Sequence, residues 1–211
     1  MINDFATIYV VRHGETETNV KGILQGYESS SLTQRGIEQA RELSEKFKIV
    51  KFDAVYSSDL ERAQKTAEII TQEDDLPIKT NNQLRERNFG RYEGTERKVY
   101  LENLKEAMAK AGNLTEDGKW KFRLSDEVES DEELLSRFMT ALKKITIENI
   151  GKKILVVTHS GPIRILLMHL GFGNHDDLPS GTIENIGYIK LKYDGIDFKI
   201  MEVKGISKKN I

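Results

Sequence analysis

The 211-residue chain contains no cysteine. Disulfide frameworks, thiolate nucleophiles and cysteine-based zinc sites are therefore excluded. It holds three prolines, one tryptophan and only 8% aromatic residues. No apolar stretch approaches the ~18 residues that a membrane-spanning helix needs. Neither sign of charge dominates: 32 Lys and Arg face 34 Asp and Glu, for a formal net charge of -2. That argues against nucleic acid as a partner, because nucleic-acid binding needs a concentrated basic face. Met1 to Val11 has no basic leader and only a short apolar run, so it does not read as a secretory signal, and a cytoplasmic location is the expectation. What the chain does have, 38% hydrophobic and 31% charged residues, is ordinary for a globular protein. The length fits one domain over residues 1–211 with ample core.

Hydrophobic periodicity organises the chain. Thr7 to Val11 and Ile154 to Thr158 read as strong buried strands, and Ala54 to Tyr56 and Leu76 to Thr80 as shorter ones. Thr33 is placed to cap a helix to about Phe47, Asp59 one to Thr71, and Asp131 one to Glu148. Gly94 to about Lys110 looks helical, and the pattern is lost over Ala111 to Ser130. Pro162 opens a helix to Leu170, with His169 on its apolar face. Thr182 to Lys192 and Phe198 to Val203 form a hairpin turning near Asp194-Gly195, and Lys204 to Ile211 is a loose polar tail. Strand–helix alternation gives an α/β class: a three-layer α/β/α sandwich with a mainly parallel central sheet and an irregular cap insertion over roughly 94–130.

Arg12-His13-Gly14-Glu15-Thr16 follows the first strand. It sets a planar cation, an imidazole and a flexible backbone at a strand's carboxyl end, where open α/β sheets bind ligands. Arginine matches phosphate oxygens, and a neutral imidazole nitrogen can attack phosphorus. His159, in Thr158-His159-Ser160-Gly161-Pro162, ends the second strong strand, and Arg62 falls in the first turn of a helix, where the helix dipole also favours an anion. His13 with Glu15 lacks a third ligand at metal-binding spacing, so no metal and no cofactor are expected.

The order of these pieces, Arg12-His13-Gly14-Glu15-Thr16, Asn19, Gln25-Gly26, Arg62, Glu86 in Leu84 to Gly90, and Thr158-His159-Ser160-Gly161, resembles the histidine phosphatase superfamily, also called the phosphoglycerate mutase-like family. The resemblance runs from about Thr7 to Leu170. It implies a phosphohistidine on His13, a phosphate held by Arg12, Arg62 and His159, and a general acid at Glu86, a match strengthened by Phe89-Gly90-x-x-Glu93-Gly94. Asn19, Gln25, Gly26 and Ser160 are further substrate-binding candidates. The enzyme implied is a phosphoric monoester hydrolase of histidine acid type, acting on a small-molecule phosphomonoester. Phosphatases for fructose 2,6-bisphosphate, phosphoserine and α-ribazole phosphate are all compatible.

Two rivals stand beside this reading. A mutase would retain the phosphoryl group, but the paired arginines of a longer mutase-type insertion are not evident between Glu86 and His159, although Arg97 matches a basic mutase position. An inactive module that binds phosphorylated partners is opposed by the presence of His13, Arg62, Glu86 and His159 together. The alternation in Lys119 to Arg123 reads either as a strand offering three cations or as an exposed edge with Trp120 and Phe122 packed inward, the latter being favoured. Glu129 keeps only part of a Gly-Gly-Glu-Ser element, and its role is open.

Overall fold

A computed structural model describes residues 5–72 and 76–209. In chain order its elements are β1 Ala6–Arg12, α1 Glu17–Val20, α2 Gln34–Phe47, β2 Ala54–Ser57, α3 Glu61–Ile70, β3 Ile78–Thr80, α4 Arg97–Asn103, α5 Lys105–Gly112, α6 Glu116–Lys121, α7 Asp131–Ile147, β4 Lys153–Thr158, α8 Ser160–His169, β5 Ile183–Tyr193 and β6 Phe198–Ile206.

The strands form one six-stranded sheet in the order β3-β2-β4-β1-β5-β6. The four strands from β3 to β1 are parallel, and β5 and β6 add an antiparallel edge. β1 and β4 are the central pair, and their sequences show why. Ile8 and Val10 enter one core with Ile154 and Val156, while Tyr9 and Val11 enter the other with Leu155 and Val157. Side chains alternate across a strand, so a strand buried on both faces needs a continuous apolar run. The first core includes residues of α7 and α8, and the second includes residues of α2 and α3. The expected α/β sandwich with a mainly parallel sheet is thus observed.

Several local expectations are corrected. Asp59 does not cap α3; its carboxylate takes both Arg85 Nε and Nη2, at 2.7 and 2.6 Å, and Leu60 occupies the cap position without a side-chain bond. α7 is capped by Ser130 rather than Asp131: Ser130 Oγ accepts the Glu133 N–H and Glu133 returns to the Ser130 N–H. Asp131 faces Arg87 and Arg164 instead. The helix expected from Gly94 to Lys110 is two helices, broken where Leu104 turns in to join Tyr92, Tyr100 and Val128 in a small third core. The supposedly irregular 111–130 stretch contains α6, capped by Thr115 and braced by Lys119–Glu116 and Lys121–Asp117 pairs one turn apart. Lys119 to Lys121 is therefore helix and not strand or sheet edge, though Trp120 does pack inward, against the first core. His169 is exposed, not part of the apolar face. Lys204 to Ile206 of the supposed tail complete β6, with Ile206 opposite Ile183; residues 210 and 211 lie outside the described residues.

Candidate active site

Parallel pairing of β1 with β4 decides which side chains meet. Arg12 lies opposite Thr158, so the residues that follow, His13 and His159, leave the sheet side by side. The His13 N–H donates to the Thr158 carbonyl at 3.0 Å. The two imidazoles meet edge to face with centroids 5.1 Å apart. His13, Arg62, Glu86 and His159 are 3, 1, 8 and 0% exposed, so four ionisable side chains are withdrawn from water at one end of the sheet.

His13 Nδ1 bonds the Gly14 carbonyl at 2.7 Å. Donation to a carbonyl requires the proton on Nδ1, which leaves Nε2 with its lone pair. Burial, then the charges of Arg62 and Arg12, push the imidazole well below its ordinary value, which favours the neutral, nucleophilic form. The loop is held from several directions. The Gly14 N–H donates to Thr66 Oγ1, and Asn185 Nδ2 donates both to the His13 carbonyl and to Asn19 Oδ1, each at 3.2 Å. Gly14 packs against Gly36 so closely that a Cβ on Gly14 would come within 2.6 Å of the Gly36 carbonyl oxygen. Glu15 accepts from Thr33 Oγ1, the residue that caps α2, so its carboxylate ties the loop to that helix.

Arg62 is fixed by its terminal nitrogens: Nη1 donates to the Glu28 carbonyl at 2.9 Å and Nη2 to Gly26 at 2.7 Å. Burial lowers its guanidinium to about 10, with Glu86 and Glu93 opposing, so it remains a cation at neutral pH. Arg12 donates through Nη1 to the Ile183 carbonyl. In both arginines the Nε is buried and finds no partner among the described residues, and the same holds for Gln25 Nε2 and for both ring nitrogens of His159. Gln25 is oriented by accepting from Thr16 Oγ1 through its other atom. Burial, then the nearby Arg62, His13 and Arg12, hold His159 well below its ordinary value. An unpaired buried donor is costly, so a group of them implies an acceptor that completes the site.

Glu86 faces the start of α8. Its carboxylate accepts the Gly161 N–H, at 3.0 Å to Oε1, and the Arg87 N–H at 2.8 Å. A Cβ on Gly161 would sit 2.2 Å from Oε1, so only glycine admits the carboxylate there. Ser160 is the first residue of α8, and no side chain caps that helix. Glu93 bridges the loops around the site, accepting the Tyr27, Glu28 and Phe89 N–H groups. The structure thus gathers His13, Arg12, Arg62, His159, Gln25, Gly26 and Glu86. It ties Asn19 to the same loop through Asn185 and puts Ser160 directly after His159.

Sequence reasoning missed three participants. Arg137 of α7 pairs with Glu129 and donates to the Gln83, Arg85 and Glu86 carbonyls; the available signal was a charge three residues after buried Leu134. Asn185 gave no signal beyond the break in alternation at Ile186-Gly187. His175 bridges Asp131 and Glu116, and Asp131 also binds Arg87 and Arg164. The role of Glu129 is now concrete: it anchors Arg137 and accepts the Asn88 N–H. No group of three or more residues suited to a metal ion occurs among the described residues.

A mostly parallel α/β sheet thus carries two histidines, two arginines and a carboxyl group at its carboxyl edge. Residues 8–204 match the model of the histidine phosphatase superfamily (branch 1), and the chain belongs to that family. The match is to branch 1; the narrower acid-type designation is not part of it. The chain is 38% identical over 77% of its length to phosphoglycerate mutase-like protein 4 of Arabidopsis thaliana, covering 70% of that protein. It is 32% identical over 92% of its length to the uncharacterized phosphatase PhoE of Bacillus subtilis (strain 168), covering 94% of it. The solved structure of YhfR from Bacillus stearothermophilus superposes with a TM-score of 0.83 at 26% identity, covering 95% of this chain and 97% of that one. No helix among the described residues is long and apolar enough to cross a membrane.

Proposed function

We propose that the chain is a metal-independent phosphomonoesterase that hydrolyses small phosphorylated metabolites through a phosphohistidine on His13. One observation carries this reading: among the described residues, buried nitrogens of Arg12, Gln25 and Arg62 and the ring of His159, which in its neutral form donates through one nitrogen, find no partner, and these side chains surround an imidazole kept neutral with one nitrogen free. A phosphoryl group supplies the acceptors that these donors need.

In the first step His13 Nε2 attacks phosphorus while the bond to the ester oxygen breaks. Arg12, Arg62 and His159 stabilise the charge on the equatorial oxygens, and Glu86 gives a proton to the leaving alkoxide. In the second, Glu86 takes a proton from water as it attacks the phosphohistidine, which releases inorganic phosphate and restores His13. Asn19, Gln25 and the backbone near Gly26 and Ser160 add donors. Positive charge comes from Arg12 and Arg62, with His159 as a hydrogen-bond donor, so EDTA is expected to leave turnover unchanged.

The decisive experiment is rapid-quench trapping with a ³²P-labelled ester. Acid-labile label on His13, lost in His13→Ala, supports the reading; label on another residue or turnover by folded His13→Ala overturns it. Inclusion of 3-phosphoglycerate separates isomerisation, the mutase outcome, from phosphate release.

A further inference from the structure

The main chain of His13 is held from both sides. Its N–H donates to the Thr158 carbonyl of β4, and its carbonyl accepts from β5. The second contact exists because β5 is not a regular strand. Its register against β6 jumps from Ile183 opposite Ile206 to Tyr188 opposite Lys204, and its pairing with β1 ends at Tyr188 opposite Val11. The bulged residues therefore lie where β1 gives way to the loop of His13. The Ile183 carbonyl accepts from Arg12 Nη1, and the Ile186 N–H donates to the His13 carbonyl at 3.4 Å. Asn185 Nδ2 donates to the same carbonyl and to Asn19 Oδ1.

This bulge has a costly backbone. Ile186 has a φ of 61° and is the one non-glycine residue with positive φ among the described residues. A β-branched side chain rarely adopts that left-handed conformation. The Ile186 side chain is half-buried against the second core, and a Cβ on Gly187 would lie 2.7 Å from the Gly205 carbonyl oxygen, so core and β6 pin the bulge in place. Strain of this kind persists only where the surrounding structure imposes it, and it collects at functional sites.

The hydrogen bonds also fix which way two amides face. A carbonyl only accepts, so Asn185 must turn its NH2 group to His13, and that group spends one N–H on His13 and the other on Asn19. The atom it meets on Asn19 is then the oxygen. The Thr16 N–H, which only donates, reaches the same Asn19 Oδ1 at 3.3 Å. Asn19 is left with its own NH2 group, which has no partner among the described residues. In this orientation Asn19 offers donors to an anion; reversed, it would offer a repelling oxygen.

We propose that Asn185 is a positioning residue for the phosphoryl transfer. It sets the Asn19 amide with nitrogen toward the phosphate and anchors the carbonyl of the nucleophile, and the strained turn at Ile186 delivers it there. The inference rests on the reading of His13 as nucleophile and Asn19 as a phosphate donor. It adds a residue of β5, far along the chain, on which both depend.

The test is a double-mutant cycle of Asn185→Ala and Asn19→Ala, assayed on p-nitrophenyl phosphate. Asn185→Ala is expected to lower kcat/KM ~10–100-fold, as misplacement of reacting groups does. Asn19→Ala is expected to cost several-fold in the wild type but less than about twofold in the Asn185→Ala background, where its amide is no longer held. Vanadate Ki, which reports on the phosphate pocket without turnover, is expected to rise in Asn185→Ala and to show the same coupling. Asn185→Asp keeps the shape, removes both donors and is expected to lose at least as much; it replaces Asn185→Ala in the cycle if the latter does not fold. An Asn19→Ala cost that is equal in both backgrounds overturns the inference, because a merely stabilising residue would not couple to Asn19. Wild-type turnover in a folded Asn185 variant, or failure of both Asn185 variants to fold, overturns it too. In each case phosphohistidine trapped on His13 of the wild type leaves the phosphatase reading standing. Absence of that label overturns both.

Discussion

Arg137 donates from α7 to the backbone carbonyl of Glu86 at 2.7 Å. The same guanidinium holds the Gln83 and Arg85 carbonyls and pairs with Glu129, so the loop that presents the candidate acid is clamped from behind. Arg137→Met removes the clamp and strands several acceptors. A misplaced catalytic group of this kind costs ~10–100-fold in rate. The loss is expected in kcat rather than KM, and to be greater for alkyl esters than for p-nitrophenyl phosphate, whose leaving group needs less protonation. Equal losses on both esters would show that Arg137 serves stability alone.

Gly161 is the counterpart on the other side of Glu86. Because an added Cβ would lie 2.2 Å from Oε1, Gly161→Ala must displace the carboxylate or the start of α8. Turnover is expected to fall at least ~10-fold, since catalytic groups must be held to within roughly 0.5 Å. Vanadate inhibition, which reports on the phosphate pocket, is expected to change far less. Full activity in this variant would count against a role for Glu86.

Burial, followed by the charges of Arg62 and Arg12, lowers His13 well below its ordinary 6.5. The proposed mechanism requires a neutral nucleophile, so protonation of His13 is expected to inactivate the free enzyme, with that limb of the pH profile on the acid side of 6.5. Raising the pH cannot remove the neutral form. A kcat/KM profile that lost its acid limb only above pH ~7 would contradict this assignment.

His175 titrates in the opposite sense. Burial disfavours its charge, but the hydrogen bonds and charges of Asp131 and Glu116 outweigh that, and the result is raised above 6.5. Its contribution to stability is therefore fully present below 6.5 and is lost as pH rises through the raised value. Buried His13 and His159 work the other way, destabilising the fold as pH falls below 6.5. The comparison of wild type with His175→Gln isolates the first effect: the difference in Tm is expected to shrink from about pH 6 to about pH 9. A constant difference would rule out a charged His175 as the link between α6 and α7.

The two central strands were legible in the chain because strands buried on both faces must be apolar at every position, as Ile8 to Val11 and Ile154 to Val157 are. The capped helix α2 was legible for a similar reason: Thr33 and the spacing of Ala40, Leu43 and Phe47 are local signals. α6 and the break at Leu104 were not, since short helices in the 94–130 region take their stability from pairs and contacts as much as from periodicity. The caps of α3 and α7 were misassigned by one residue, because whether an aspartate caps a helix depends on a distant arginine competing for it.

Local order along the chain was enough to determine which residues end strands and which chemistry they carry: His13 after β1, His159 after β4, Arg62 at the head of α3. Tertiary structure alone decided that β1 and β4 pair in parallel and bring the two imidazoles together, that Arg137 and Asn185 hold the loops, and that Asp131 draws Arg87, Arg164 and His175 together. The physical reason is range. Strand and helix signals are written in neighbouring residues, whereas the partner of a buried charge is chosen by packing between segments 33 to 44 residues or more apart.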